Sequence, residues 1–323
     1  MIPASGRRAA ICLTPDARYF KAAIVAARSI LAQEPDLPAD IVILCDAGDV
    51  APGYDALPAN LRARITLLPW EKSSETAALP LGRHVTHAAY RRLFLPALLD
   101  ERYRRIVYLD SDIAIVRPGL SRLLSLPLAD RPVAAAIDMI FLKDFEDGPL
   151  TAEFRAYRAG LGLPPAAPYF NSGLLVIDPE AWLEQAVTEK ALAFLAAEPA
   201  RCLFHDQSAL NAVLRDNWLA VSPRYNFMGD FQLLDLEALI APVVMHFVNH
   251  PKPWHFPDWA GEDRFARIYR EAFAATPWAA DAMPSPHALQ EPPPLSPAFT
   301  AFRRRLLAYL RTQAFADTPP GWP

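Results

Sequence analysis

An α/β domain built on a mainly parallel sheet is the fold this sequence predicts, and two observations carry that expectation. Short apolar runs alternate along the chain with stretches of helical periodicity. Such alternation places helices on both faces of a parallel-type sheet. The second observation is one of these runs, residues 105–109, which delivers Asp110 and Asp112 to its C-terminal end. In open α/β sheets, ligands bind outside the carboxyl ends of the strands.

Residues 9–13 are the first strand, and a turn follows over 14–18. Residues 20–32 carry apolar side chains at helical spacing and stop at Gln33-Glu34-Pro35. Residues 41–45 are a short apolar run, hence a buried strand, followed by Asp46-Ala47-Gly48. A helix lies within 54–64, and a third strand over 65–68 is closed by Pro69. Residues 86–99 read as helix and lead to the strand at 105–109. Further on, a strand over 133–137 ends at Asp138, and a helix near 152–159 precedes a proline-rich loop. Residues 173–177 are a strand. Asp178 then caps, and Pro179 opens, a single helix through Ala197. A helix over 206–214 and a late strand over 243–248 complete the regular part.

At 323 residues the chain can bury a large core. It is 52% hydrophobic and 21% charged, with a mean hydropathy of +0.08, which places it among globular chains. A net charge of −4 and a pI near 6.0 give no global field for nucleic acid. Cys12, Cys45 and Cys202 lie far apart without metal-ligand spacing, which suits a reducing compartment. Arg7 and Arg8 lead into only a short apolar run, unlike a signal peptide. No run approaches 18 apolar residues. The expectation is a cytoplasmic enzyme.

Composition shifts after about residue 280, so the expected division is a catalytic domain over 1–280 and a tail over 281–323. Residues 284–297 are proline-rich and read as a linker. From Ala298 to Phe315 a basic, amphipathic helix sets Phe302, Leu306, Tyr309 and Leu310 on one face beside Arg303, Arg304 and Arg311. Detached from the domain, it would suit an anionic membrane surface, with peripheral contact at the inner membrane face. The competing arrangement docks it on the domain with its arginines in water.

Chemistry concentrates in a few segments. Two hard carboxylates one residue apart suit a divalent cation that also holds phosphate oxygens. Tyr169-Phe170-Asn171-Ser172-Gly173 precedes a strand, His205-Asp206-Gln207 opens a helix, and His246 begins a segment that runs to Lys252-Pro253-Trp254. Asp16 follows the first strand. Each is a polar group at an element end, where loops build sites.

Taken in order, Tyr108-Leu109-Asp110-Ser111-Asp112, Phe170-Asn171-Ser172-Gly173, Asp206-Gln207 and His246-Phe247 with Lys252-Pro253-Trp254 resemble the family 8 retaining glycosyltransferases. Within that family the pattern resembles especially the bacterial lipopolysaccharide galactosyl- and glucosyltransferases. The resemblance spans roughly residues 9–254. It implies a GT-A type fold, a Rossmann-like mixed sheet flanked by helices. It implies Mn²⁺, with Mg²⁺ as an alternative, and transfer of galactose or glucose from a UDP-hexose to a glycan or glycolipid acceptor with retention.

It also implies roles. Asp110 and Asp112 match the metal-binding aspartates, and His246 completes the protein's share of that shell, a mixed N/O set suited to Mn²⁺. Lys252 matches a lysine on the donor diphosphate, where negative charge develops. Asp16 and Tyr19 fall where uracil and ribose are contacted. Arg92 matches a donor-side arginine, with Arg91 one position away. Ser111 and Ser172 join the donor-binding set. Asn171 lies near the transferred sugar, Asp206 and Gln207 hold its hydroxyls and line its β face, and Asp138 lies near sugar and acceptor. Sugar hydroxyls left unpaired in a buried pocket are costly, so such acceptors and amides are needed.

One position departs from the pattern. Asn249 stands where the family has a glycine that lets backbone approach phosphate; asparagine tolerates left-handed backbone better than other residues with a side chain. That departure motivates one alternative, a nucleotide-sugar binder without transfer activity. A phosphohydrolase of the haloacid dehalogenase type also uses Asp-x-Asp after a strand, but near the N-terminus, whereas here the motif begins at residue 110.

Overall fold

The structure, a computed structural model, describes residues 8–71, 76–79, 86–99, 102–250, 252–254, 269, 271–274, 276–281 and 294–318. Ten strands occur among them: β1 (Arg8–Leu13), β2 (Ala39–Cys45), β3 (Ile65–Pro69), β4 (Tyr103–Leu109), β5 (Ile113–Ile115), β6 (Val133–Ile137), β7 (Phe170–Ile177), β8 (Leu219–Val221), β9 (Phe227–Met228) and β10 (Val244–His246). Seven form one sheet in the order β3-β2-β1-β4-β7-β6-β8, and β5-β10-β9 form a small second sheet.

The first half is the parallel array that strand–helix alternation requires: β1 pairs in parallel with β2 and β4, and β2 with β3. The expectation of a parallel sheet fails at β7, which runs antiparallel to both β4 and β6. The sheet is therefore mixed, as the GT-A type fold requires.

Both faces are covered. Along β1, Ala10 and Cys12 point into one apolar cluster while Ile11 and Leu13 point into the other, and β4 alternates likewise with Ile106 and Tyr108 opposite Val107 and Leu109. This two-residue period with apolar residues on both faces is the mark of a sheet buried between helix layers. The helix Phe20–Gln33 covers the second face through Phe20, Ile24 and Ile30. The helices Pro179–Glu184, Val187–Ala197 and His205–Leu214 contribute Trp182, Leu195 and Leu210 to the first. All three cysteines are free and buried, and they pack as small apolar groups.

Several elements differ from their expected form. Residues His87–Phe94 are 3₁₀ helix, and α-helix begins only at Leu95. The single helix expected over 179–197 breaks at Ala186, whose φ is +51°. β7 begins at Phe170 rather than at 173, so Asn171 and Ser172 are strand residues, not loop. The short strands β8 and β9 carry too few residues for periodicity to reveal.

The helix Pro297–Thr312 docks on the domain. Phe302, Leu306 and Leu310 are buried in the first cluster, and Tyr309 stacks on Phe145 with centroids 4.4 Å apart. Arg305 donates to the carbonyls of Phe145 and Glu146 at 2.6 Å each. Beyond the helix, Asp317 accepts from the N–H and hydroxyl of Ser222 at 2.6 and 2.7 Å. The expectation of a detached tail is thus corrected: the apolar face read as membrane-directed finds enough apolar surface on the protein itself. Of the stretch read as a linker, residues 284–293 lie outside the described residues. Among the described residues, no helix is long and apolar enough to cross a membrane.

Leu306 is fully buried in this contact. Leu306→Ala should therefore destabilise the whole fold by about 2–5 kcal/mol in denaturant unfolding. A cost below about 1 kcal/mol would show the helix to lie outside the cooperative unit.

Candidate active site

The site forms where β4 stops. Asp110 is the first residue beyond the strand, and its N–H donates to Gly173 O at 2.8 Å, so β7 is locked alongside. The turn through the buried Ser111 brings Asp112 round, and Asp112 O accepts from Phe247 N–H at 2.9 Å, which joins this loop to the end of β10. His246 is the last residue of β10, in register with Ile113 on one side and Met228 on the other.

These contacts bring the three predicted metal ligands together. Donor atoms of Asp110, Asp112 and His246 all lie within 4.8 Å of one another. His246 Nε2 is 3.7 Å from Asp110 Oδ2 and 3.4 Å from Asp112 Oδ1. Donors sharing one ion at about 2.1 Å sit about 3–4 Å apart, so one divalent cation fits among them. His246 Nδ1 lies 2.8 Å from Asn226 Oδ1, which leaves Nε2 to face the carboxylates. Gly173 makes room: a Cβ there would fall on His246 Cε1 and only 2.8 Å from Asp110 Oδ2.

Charged groups surround this centre. Lys252 is buried, and its ammonium donates to Asp112 Oδ2 at 2.7 Å, Phe247 O at 2.6 Å and Val248 O at 3.2 Å. Burial acts to raise the Asp112 carboxyl, but Lys252 and His246 outweigh it and hold it below the usual carboxylate range. Arg92 pairs with Asp110 and Asp206 at 3.1 Å each, donates to Ser172 O at 2.8 Å, and lies over the Tyr108 ring at 4.5 Å. Burial opposes its charge, yet Asp110 and Asp206 more than restore it. Tyr108 donates its hydroxyl to Asp110 Oδ1 at 2.5 Å.

A second polar group adjoins the first. Gln207 Oε1 accepts from Ser172 N–H at 2.9 Å, and its amide donates to Asp138 Oδ2 at 3.3 Å. Asn171 donates to the same Asp138 oxygen at 2.7 Å, and Asn171 Oδ1 accepts from Gly173 N–H at 2.8 Å. Asp138 also caps the helix Met139–Leu142 through Ile140 N–H. Burial raises the Asp138 carboxyl despite these donors. Burial likewise pushes Asp206 up to about 6, although Arg92 opposes it. His205, which leads into this pair, holds a positive φ of +52°.

The profile of glycosyl transferase family 8 matches residues 10–258. The chain belongs to this family. Among relatives of the family 8 chain, lipopolysaccharide glucosyltransferase WaaO of Escherichia coli (strain K12) is 31% identical over 244 residues, 72% of this chain and 68% of that protein. General stress protein A of Bacillus subtilis (strain 168) is 33% identical over 188 residues. The family 8 chain covers 60% of the length of that protein. The solved structure of galactosyltransferase LgtC with donor and acceptor sugar analogs superposes with a TM-score of 0.65 at 23% identity, over 80% of this chain and 95% of that one. The GT-A type fold follows from that likeness.

Against this frame of family 8, most predicted residues converge and a few stand apart. Of the two adjacent arginines, Arg92 faces the site while Arg91 turns away to Asp46, Asp49 (2.8 Å) and Pro15 O (2.8 Å). Asp16 is taken up in a turn: Oδ1 accepts from the N–H groups of Arg18 and Tyr19 at 3.0 and 3.1 Å, and Oδ2 from Thr86 Oγ1 at 3.0 Å. Tyr19 meets Trp254 edge-on at 5.5 Å, which brings the Lys-Pro-Trp segment to the first loop. Asn249 is half-buried and is not among the described residues with positive φ, so no left-handed backbone has to be accommodated there. Tyr108, Gly173 and Asn226 were missed as functional positions. The first two lie inside motifs quoted above, whereas Asn226 has no local signal.

Gly173→Ala should leave the fold intact and weaken binding of Mn²⁺ at least about tenfold in calorimetry, because His246 must swing away. Unchanged affinity would mean that His246 contributes nothing to the ion. Asp206 gives a pH signature. Between the ordinary value of 3.8 and about 6, the folded chain keeps a proton that the unfolded chain has lost. Stability contributed by this group is therefore present below that window and falls as pH rises through it. The stability of Asp206→Asn relative to the parent should climb from about pH 4 to 6 and then level off, measured by urea unfolding. A flat difference would show that Asp206 ionises as an ordinary carboxylate.

Proposed function

We propose that this chain transfers a hexose, galactose or glucose, from a UDP-sugar to a glycan or glycolipid acceptor, with retention at the anomeric carbon. The observation that carries this reading is the convergence of Asp110, Asp112 and His246 donor atoms within 4.8 Å beside the Asp138–Asn171–Gln207 cluster. A cation site next to a buried array of amides and carboxylates matches a diphosphate joined to a sugar. Lipopolysaccharide or another surface glycan is the setting that the WaaO relationship supports; a cytoplasmic site of action, peripheral to the inner membrane, is part of the proposal.

Asp110, Asp112 and His246 would hold Mn²⁺, with Mg²⁺ as the alternative, and the ion would counter charge on the departing diphosphate. Lys252 adds positive charge from the other side of Asp112; its three donors are engaged, so contact with the diphosphate exchanges one of them. Asp16, Tyr19, Ser111 and Asn249 border the nucleotide side in this reading, and Arg92 and Ser172 the junction with the sugar. Asp206, Gln207 and Asn171 orient the sugar hydroxyls, and Asp138 faces the acceptor. Front-face attack by the acceptor hydroxyl accounts for retention: the anomeric C–O bond to UDP breaks as the new one forms on the same face, and the departing phosphate takes the hydroxyl proton. The rival is double displacement with Gln207 or a nearby carboxylate as nucleophile. Gln207 Oε1 already accepts from Ser172 N–H at 2.9 Å, which argues against Gln207 as that nucleophile.

The phosphohydrolase alternative finds no support in the family relationship. A binder without activity rested on Asn249, and the family relationship does not favour it. Any contact of the helix Pro297–Thr312 with an anionic membrane would rest on exposed Arg304 and Arg311, since its apolar face is covered.

Calorimetric titration of UDP-galactose and UDP-glucose with and without Mn²⁺ tests the reading. Binding should require the metal, and Asp110→Asn should abolish it while the melting temperature stays close to that of the parent. Gln207→Ala should retain UDP affinity within about threefold and lose most transfer to a soluble acceptor. Metal-independent binding, or wild-type affinity in Asp110→Asn, would sink the proposal.

A further inference from the structure

Asn226 lies between Tyr225 and Phe227, just ahead of β9, and it has no solvent exposure. Its side chain makes two hydrogen bonds, one to each half of the site. Oδ1 lies 2.8 Å from His246 Nδ1, and Nδ2 donates to Asn171 Oδ1 at 2.8 Å. A buried amide must satisfy both ends, so its orientation is decided by its partners.

Those partners allow one orientation. Asp138 Oδ2 receives the Asn171 amide at 2.7 Å, and Asp138 Oδ1 receives Ile140 N–H at 2.7 Å. Asn171 must therefore present its oxygen to the other side, where Gly173 N–H also donates to it at 2.8 Å. Asn226 then has to offer its amide nitrogen to Asn171 and its oxygen to His246. An amide oxygen only accepts, so His246 must donate from Nδ1. In the neutral ring, the form that binds a metal ion, the lone pair is then on Nε2, the nitrogen 3.4 and 3.7 Å from the carboxylates of Asp112 and Asp110. Backbone N–H groups at Gly173 and Ile140 cannot reverse, and they anchor the direction of the whole chain of bonds.

We propose that Asn226 is a positioning residue for the cation site: it holds His246 in the Nδ1–H tautomer with Nε2 turned to the ion, and through Asn171 it ties that ligand to Asp138. This rests on the reading of Asp110, Asp112 and His246 as metal ligands. Asn226 touches neither the ion nor the sugar; it acts through His246 and Asn171. A metal-ligating histidine gains orientation and a fixed tautomer when its second nitrogen has such a partner.

The test uses the full chain and direct Mn²⁺ binding, read by electron paramagnetic resonance of the free ion. Asn226→Leu keeps volume and removes both bonds, and should weaken Mn²⁺ about 10–100-fold. Asn226→Asp keeps an acceptor for His246 but cannot donate to Asn171; it should hold Mn²⁺ within about threefold of wild type and still lose transfer. In a His246→Ala background, Asn226→Leu should weaken Mn²⁺ no further. Equal loss in Asn226→Leu and Asn226→Asp, or additive loss in the His246→Ala background, would overturn the proposal by showing general damage. The ¹⁵N shifts of His246 in the metal-free wild-type chain give a check that needs no variant: a proton on Nδ1 is expected, whether or not Nε2 also carries one, and a neutral ring protonated on Nε2 alone refutes the assignment. If the wild-type chain binds no Mn²⁺ but His246 carries its proton on Nδ1, the metal reading fails while the hydrogen-bond assignment stands.

Discussion

β7 runs antiparallel to β4, and the ladder continues past the end of β4 through the bond from Asp110 N–H to Gly173 O. Everything in the site is referred to this junction. It sets the first carboxylate against the one residue in the strand without a Cβ, and that gap admits the His246 ring. Since side chains alternate along a strand, Asn171 and Gly173 share a face, and β7 delivers the amide beside the gap. The helix His205–Leu214 is tied to the same strand: Asn211 bonds both the N–H and the carbonyl of Phe170, and Gln207 accepts from Ser172 N–H. The Asp138–Asn171–Gln207 group and the Asp110 carboxylate are therefore both tied to one strand rather than to separate loops.

Charge is balanced within the site in a way that binds its members to each other. Arg92 bridges Asp110 and Asp206, while Lys252 backs Asp112. Arg92 and Lys252 are buried, so either would be costly without a carboxylate partner, and Arg92 has two. Arg92 serves this role and Arg91 does not because neighbouring side chains on a helix point to different sides, and the helix His87–Phe94 is set with Arg92 toward Asp110 and Asp206. Arg91 is directed to the Asp46–Asp49 turn after β2, and it clamps the first loop instead.

The segment from Ser296 to Thr318 completes the core instead of leaving it. Its helix covers the face of the sheet opposite the helix Phe20–Gln33, and Ala316 N–H and Asp317 continue the contact to Ala220 and Ser222 at the β8 edge. An amphipathic helix buries its apolar stripe wherever matching surface is available. Phe145, stacked on Tyr309, is that surface here.

Much was determined by sequence alone. The alternating apolar runs specified β1 to β4 and their helices, because burial on two faces leaves a periodic record in the chain. Asp110, Asp112, Asn171, Asp206, Gln207, His246 and Lys252 were legible because each stands at or near an element end in a short motif. Tertiary structure decided what no local pattern records. The reversal of β7 depends on which strands pair, not on the content of the strand. Which of Arg91 and Arg92 faces the site depends on how their helix is set against the sheet. The amphipathic stripe of the helix Pro297–Thr312 is the same for a membrane or a domain, and only the presence of a complementary surface chose between them. Asn226 shows the limit most clearly: a buried amide acquires a role through the partners that fold around it, and those partners lie 20 residues away in one direction and 55 in the other.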